Sequence, residues 1–282
     1  MRRVLLVAAL LIAAAVLPTS SASASSPGWL MSCPYTRTAS VDPIVFPGMT
    51  GMSHLHEFFG NLSTSATSTY TTMTHATTSC RAAADTAGYW TPALYSNGRR
   101  VAPAGAWAGV KVREQIYYRA NNLAAGTFIR AFPADLRMVA GNSHATSVAG
   151  NPMLGKEIYY GCSDNSTSGK LTAPPASCGT GILTLHVGFP NCWDGTLTHQ
   201  NDTAHMAYPK SGHCPAAFPI ALPRIIERFE YPVGTTTGRI TLASGPSYTA
   251  HADFWNTWQQ ARLQALVTNC LNAGKDCGTL TS

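Results

Sequence analysis

The sequence carries little charge and lacks a long apolar run after its first two dozen residues. Asp, Glu, Lys and Arg make up only 11% of its 282 residues, whereas a usual globular chain contains about 25%. Past the amino terminus, no apolar stretch approaches the ~20 residues that a membrane-spanning helix requires. Disorder is a poor fit as well, because a hydrophobic content of 45% can bury a sizeable core. We therefore predict one folded domain without a membrane span.

The amino terminus has the pattern of a secretory signal peptide. Two arginines near the start precede an apolar stretch over residues 4–17, and the Ala-Ser-Ala sequence at residues 22–24 fits the cleavage rule. The pattern predicts a signal peptide over residues 1–24 and a secreted, extracellular protein whose residues 25–282 form a single domain. Losing the two arginines lowers the formal net charge of +6 by two, and the remaining positive charge suits polyanionic partners.

All eight cysteines follow the predicted cleavage site. An even number of cysteines in an exported chain is typical of disulfide bonds. The sequence has no Cys-x-x-Cys pair of the kind that holds a structural zinc ion. Many connectivities are open to eight cysteines. We expect no free thiol and pairing in chain order: Cys33–Cys80, Cys162–Cys178, Cys192–Cys214 and Cys270–Cys277.

Proline and glycine are spread along the chain, with 18 and 24 residues respectively, so few long helices fit. Short β-branched or aromatic runs between turns predict strands, for example over residues 127–132, 181–189 and 225–231. Apolar residues from 253 to 271 recur at three- and four-residue spacing, which predicts a C-terminal helix with Asp253 as its N-cap. We predict a mainly β fold, a sandwich or jelly roll stapled by disulfides, with a C-terminal α-helix.

The first group of potential site residues is a His-x-His-Glu segment that follows Asp42. If this segment is extended, His54 and His56 point to the same face, because side chains alternate along a strand. Two adjacent imidazoles can bind one metal ion, or act as acid and hydrogen-bond donor near one substrate atom. The alternative is a polar strand face with hydrogen-bonded histidines. The nearby carboxylates of Asp42 and Glu57 favour the functional interpretation.

Two further groups lie in the second half of the chain. Asp194 lies two residues after Cys192, an expected disulfide position, and precedes a glycine, so a rigid turn would hold its carboxylate for a ligand or for acid–base chemistry. The alternative is a turn in which that carboxylate binds local backbone amides. His205 lies in an apolar neighbourhood, where a structural role is slightly favoured. His251 stands two residues before Asp253, and the sequence indicates no structural role for it.

Short motifs occur in order over most of the chain. They include Asp42-Pro43-Ile44, His54-x-His56-x-Phe58-Phe59-Gly60, Phe189-Pro190-x-Cys192-Trp193-Asp194-Gly195 and His251-x-Asp253-Phe254. Together they resemble a domain-of-unknown-function family of secreted fungal and actinobacterial proteins, over about residues 40–270. Fungal members often have Cys-x-x-Cys where this chain has the single Cys80. The resemblance implies secretion and a common fold, and it names no reaction.

The histidines and carboxylates favour a secreted hydrolase of an extracellular polymer, with a His/Asp site assisted by one divalent metal ion. We expect one shared cleft in which His54, His56 and Asp194 are the metal ligands and His251 is the general acid or base. All four count as catalytic residues in this interpretation. The further candidates are Asp42, Glu57, His205 and Asp253.

The polymer is expected to be a nucleic acid or a polysaccharide, bound by a monomer. Phosphodiester cleavage is slightly preferred, because several arginines can contact phosphates, whereas glycosidases mostly need two facing carboxylates. These arginines are Arg113, Arg119, Arg130 and Arg137. One alternative is a polysaccharide lyase or a carbohydrate-binding cell-wall protein, in which tyrosines such as Tyr117 and Tyr159 contact sugar rings. The other is a non-catalytic extracellular module.

Overall fold

The computed structural model describes residues 26–167, 169–197, 204–236 and 239–281. The predicted signal peptide over residues 1–24 lies outside these ranges. Within them, no helix is both long and apolar enough to cross a membrane.

The described residues form mainly short strands. The first ten are β1 (Gly28–Ser32), β2 (Tyr35–Ala39), β3 (His56–Gly60), β4 (Gly88–Pro92), β5 (Leu94–Ser96), β6 (Arg99–Val101), β7 (Ala106–Trp107), β8 (Val110–Lys111), β9 (Gln115–Arg119) and β10 (Arg137–Gly141). The others are β11 (Ile158–Cys162), β12 (Leu183–Gly188), β13 (Cys192–Trp193), β14 (Met206–Ala207), β15 (Ile220–Ala221), β16 (Arg224–Tyr231), β17 (Ile240–Leu242), β18 (Gly245–Pro246), β19 (His251–Trp255) and β20 (Asp276–Thr279). The helical segments are α1 (Tyr70–Thr74), a 3-10 turn (Ser247–Thr249), α2 (Gln260–Leu266) and a π-helical turn (Val267–Leu271).

Two large sheets organise the fold. The six-stranded sheet has the order β11-β12-β16-β9-β1-β20, and the five-stranded sheet has the order β10-β19-β4-β3-β2. Neighbouring strands in both sheets are antiparallel except for the parallel pair β1–β20. The smaller sheets are β18-β17-β5-β6, β14-β13-β15 and the pair β7–β8. The mainly β prediction is confirmed.

The two large sheets pack against each other through alternate residues of their strands. Phe59 of β3 and Phe229 of β16 bring their ring centroids within 5.0 Å across this interface. Both belong to the large buried cluster that draws on both sheets. Burying one such aromatic side chain stabilises the fold by roughly 1.5–3 kcal/mol. The interface therefore supplies the main core.

The other face of the five-stranded sheet carries a second, smaller core. Phe58 and Trp90 leave the sheet on this side and pack with Val41 and Ile44 from the segment after β2. Strands β3, β4 and β19 are consequently buried on both faces along their whole length. Polar side chains of these strands that lie on the same face as the second core are therefore buried.

The structure corrects two of the element predictions. The C-terminal helix is confirmed over residues 260–271, but residues 251–255 form the strand β19. Phe254 and Trp255 are buried on opposite faces of β19, so together with Trp258 they imitate helical spacing, and Asp253 lies within the strand instead of capping the helix. Residues 127–132 contain no strand, although Ile129 and Phe132 are buried.

All eight cysteines are paired in the predicted order, as Cys33–Cys80, Cys162–Cys178, Cys192–Cys214 and Cys270–Cys277. The prediction of four disulfides without a free thiol is therefore confirmed. Such a cross-link stabilises a fold by about 2–4 kcal/mol, largely by restricting the unfolded chain.

Candidate metal site

Three histidines meet on the outer face of the five-stranded sheet. His56 begins β3 and His251 begins β19, the two strands that flank β4, and His54 lies just before β3. The ring centroid of His54 is 4.2 Å from that of His56 and 5.0 Å from that of His251. We refer to His54, His56 and His251 as the histidine cluster. Sheet pairing thus brings together residues that are 197 positions apart.

Backbone carbonyl groups fix the orientation of two of these rings. The Nδ1 atom of His56 is 3.0 Å from the Val41 carbonyl oxygen, and that of His251 is 2.8 Å from the Thr249 carbonyl oxygen. A carbonyl oxygen only accepts, so both Nδ1 atoms must carry the proton and both Nε2 atoms keep a lone pair. Metal-binding histidines are commonly held in this way.

The Nε2 atoms of His54 and His251 are 3.1 Å apart. One potential ligand atom from each of the three histidines lies within 4.8 Å of the others. Ligands of a tetrahedral ion with bonds of about 2.0–2.1 Å lie roughly 3–4 Å apart. The spacing therefore suits three ligands of one ion.

A buried carboxylate adjoins the cluster. Asp253 lies on β19, and its Oδ2 atom is 4.0 Å from Nε2 of His56. Both Asp253 oxygens and this Nε2 are buried without a hydrogen-bond partner. Burial, followed by the charges of Asp42 and Glu227, raises the pKa of Asp253 well above its usual value. Leaving such groups unpaired is costly, and a bound cation would relieve that cost.

Asp42 forms a second potential ligand group with His56 and Asp253. Its Oδ1 atom accepts the backbone N–H groups of Ile44 and Val45, each at 3.0 Å. Burial raises the pKa of Asp42 to about 6 despite these bonds. The Asp42 carboxylate is therefore held in place by the turn in the segment after β2 that packs on this face of the sheet.

The imidazoles are neutral at physiological pH. Burial is the main cause, and it lowers the pKa of His54 to about 4 and that of His251 to about 3. Burial and then the two neighbouring imidazoles lower the pKa of His56 well below its usual value. Neutral imidazoles are the form that binds metal ions.

An open cavity of about 140 Å³ leads to the cluster. Besides the site residues, it is lined by apolar side chains such as Phe46 and Val139 and by the exposed His144. Gly141, the last residue of β10, allows the close approach behind His251. It has a φ of 101°, and a Cβ there would be 2.8 Å from the His251 Cβ.

His144 was not identified from the sequence. No motif or spacing marks it, because it reaches the cavity only through the pairing of β10 with β19.

The remaining predicted site residues lie elsewhere. The Asp194 carboxylate accepts the Thr196 backbone N–H at 2.7 Å and its hydroxyl at 2.8 Å, and it belongs to neither ligand group. The Nε2 atom of the buried His205 is 2.8 Å from the Arg137 carbonyl oxygen. Glu57 faces Arg100, and burial raises its pKa to about 8. The structure thus assembles His54, His56 and His251 with Asp42 and Asp253.

Fold and site together define a disulfide-stapled β protein with a cluster of potential metal ligands on one sheet. Residues 42–258 match the model of the family described as Domain of unknown function (DUF1996), and the chain belongs to that family. No curated protein and no solved structure matches the chain.

Proposed function

We propose that the protein is a secreted, metal-dependent hydrolase of an extracellular polymer. One divalent ion would be held by the Nε2 atoms of His54, His56 and His251. The observation that carries this proposal is the convergence of three neutral imidazoles, two of which have their Nδ1 protons bound to carbonyl oxygens. The family match and the disulfides are compatible with it and name no activity.

A purely structural role accounts less well for the same contacts. A proton on the His54 Nε2 atom can satisfy the lone pair of His251 across their 3.1 Å contact. The same proton cannot also bond to the Nε2 atom of His56, which is buried without a hydrogen-bond partner. Structural polar groups in a protein interior are normally hydrogen-bonded. An ion bound to all three imidazoles would use every lone pair at once.

The donor set suits a borderline ion such as Zn²⁺, which prefers imidazole with a carboxylate as a further ligand. Asp253 would be a further ligand or would orient the three histidines, and Asp42 would support the site from the segment after β2. Such an ion, when bound, acts as a Lewis acid and lowers the pKa of bound water. His144 would exchange protons with the substrate from the cavity mouth, where it is exposed.

The structure removes the main argument for a phosphodiester substrate. Among the residues described as lining the cavity there is no Lys or Arg. Arg113, Arg119, Arg130 and Arg137, on which the phosphodiester preference rested, lie outside this lining. We therefore propose polymer hydrolysis without a preference for phosphodiesters.

Metal content and activity test the proposal together. The purified protein should contain about one equivalent of a divalent ion, and His56→Ala and His251→Ala should lose it while remaining folded. His213→Ala is the matched control, because His213 is exposed and outside the cluster. Nucleic acids and polysaccharides are then assayed with and without a chelator. A lyase would reveal itself through an unsaturated product. Activity that survives in both cluster variants would refute the proposal.

A further inference from the structure

The outer face of the six-stranded sheet carries an ordered row of polar side chains. Strand register places Tyr159 of β11 beside His186 of β12, His186 beside Arg228 of β16, and Arg228 beside Gln115 of β9. The rings of Tyr159 and His186 are stacked, with centroids 4.4 Å apart and an interplanar angle of 9°. The Arg228 guanidinium donates to the Gln115 side-chain oxygen at 2.7 Å. Neighbouring contacts therefore hold the row in place.

An open groove of about 430 Å³ follows this row. Tyr117 and Ile226, which pair across β9 and β16, belong to its lining. The Arg119 guanidinium lies 5.4 Å from the Tyr117 ring centroid, and Asn121 and Asn165 also line the groove. Hydrogen-bonding groups and short apolar surfaces thus line the same open groove, which suits a chain better than a compact ligand.

Cationic side chains outnumber carboxylates around the groove. Among the described residues that line the groove, the cations are Arg119 and Arg228, and the carboxylate is Asp276. The exposed Lys170 has its ammonium group 5.2 Å from the Tyr159 ring centroid. The excess positive charge favours a polyanion, because the field of clustered cations attracts and orients it.

We propose that this groove binds a segment of a carboxylated polysaccharide. Guanidinium groups bind carboxylates with two parallel hydrogen bonds. Tyrosine, histidine and asparagine side chains bind sugar hydroxyls, and Ile226 and Tyr117 provide the apolar contact that a sugar ring requires. A single-stranded nucleic acid fits less well, since its bases need free aromatic faces and His186 already covers one face of Tyr159.

This groove is separate from the histidine cluster. The two large sheets pack through their inner faces, so the groove and the cluster lie on opposite outer faces of the sandwich. The inference does not rest on the proposed hydrolase activity. It adds a binding site that would keep the protein on an acidic polysaccharide.

Polygalacturonate is a suitable probe, with a neutral dextran and a single-stranded DNA as comparison ligands. The double variant Arg119→Gln/Lys170→Gln should bind polygalacturonate about tenfold more weakly than the wild type, since it loses two charge-assisted contacts. The matched control is Arg99→Gln/Lys210→Gln, which removes two exposed cations outside the groove. The control should bind like the wild type, and added salt should weaken binding.

Three outcomes would overturn the inference: no binding of polygalacturonate, equal binding of dextran, or equal binding of the DNA. Because Arg119 also pairs with Asp276, Lys170→Gln is measured alone as a variant that leaves this contact intact. It must still weaken binding, and unchanged affinity would count against the groove. His56→Ala should bind polygalacturonate normally, so a failure of the metal proposal would be distinguishable from a failure of this one.

Discussion

Two groups of buried polar side chains lie on opposite faces of the five-stranded sheet, and they differ in how their polar atoms are satisfied. On the inner face, Trp258 donates its N–H to the Tyr118 hydroxyl at 2.9 Å, and the Tyr118 and Tyr89 hydroxyl oxygens are 2.5 Å apart. Tyr89 in turn donates to Asp85 at 2.8 Å. We call these four residues the core network.

The histidine cluster on the outer face is arranged differently. The His56 Nε2 atom and both oxygens of Asp253 have no hydrogen-bond partner. In the core network the donors of Trp258, Tyr118 and Tyr89 each meet an acceptor in turn, so the protein supplies their partners. In the cluster, backbone carbonyl groups contact the Nδ1 atoms of His56 and His251. The Nε2 atoms of His54 and His251 contact each other, and the Nε2 atom of His56 has no partner. This contrast separates a polar group that holds the fold from one that is positioned for a ligand.

The largest expected effect is the response of the two groups to metal. Zinc added to metal-free wild-type protein, at about 1,000 times its dissociation constant, should raise the free energy of unfolding by about 4 kcal/mol. His56→Ala should lose most of this gain, because one of three imidazole ligands is missing, whereas His213→Ala should retain it. Urea denaturation with and without zinc measures the difference. An equal gain in His56→Ala would contradict the account.

The core network should instead govern stability without metal. Asp85→Ala removes the acceptor of the Tyr89 hydroxyl, which then stays buried without its partner. We expect a loss of about 2–3 kcal/mol in the free energy of unfolding. The same urea series should show an undiminished gain on adding zinc. Loss of that gain would mean that the two groups are not independent.

The two groups should also respond to pH in opposite directions. Burial lowers the pKa of His251 from 6.5 to about 3 and that of His54 to about 4. At these two residues the unfolded chain binds more protons than the folded protein, so their contribution to the stability of the metal-free protein should fall as pH drops below about 6.5. Burial raises the pKa of Asp85 from 3.8 to about 8. The folded protein then binds more protons at Asp85 than the unfolded chain does. The stability that depends on protonated Asp85 is therefore lost as pH rises through about 8.

Asp85→Asn isolates the second effect, because asparagine resembles the protonated acid. Chemical denaturation of the metal-free protein across the pH range should show this variant gaining stability relative to the wild type as pH rises from about 4 to 8. Parallel curves for the two proteins would show that Asp85 does not titrate as described.

The smallest effect is expected at Asp194. Its carboxylate binds the backbone N–H and hydroxyl of Thr196 in a local turn. Asp194→Ala should lower the free energy of unfolding by about 1 kcal/mol or less, and zinc affinity measured by calorimetry should not change. A large loss of zinc affinity would restore Asp194 to the ligand set that the sequence suggested.

Part of this arrangement could be predicted from the sequence. The His-x-His spacing anticipated neighbouring rings for His54 and His56, and the chain order of the cysteines anticipated the disulfides. Asp253 was misinterpreted as a helix cap, because the neighbouring Phe254 and Trp255 are buried on opposite faces of β19 and their pattern imitates a helix. Which side chains meet His251 depends on strand order and register, and neither can be derived from local spacing.

The central claim is that His54, His56 and His251 bind one ion. Anomalous diffraction from a crystal of the protein grown with zinc tests it most directly. The account predicts one strong peak bonded to the Nε2 atoms of all three residues, at about 2.0–2.1 Å from each. A fully zinc-loaded crystal with its peaks elsewhere, or with none at the cluster, would contradict it.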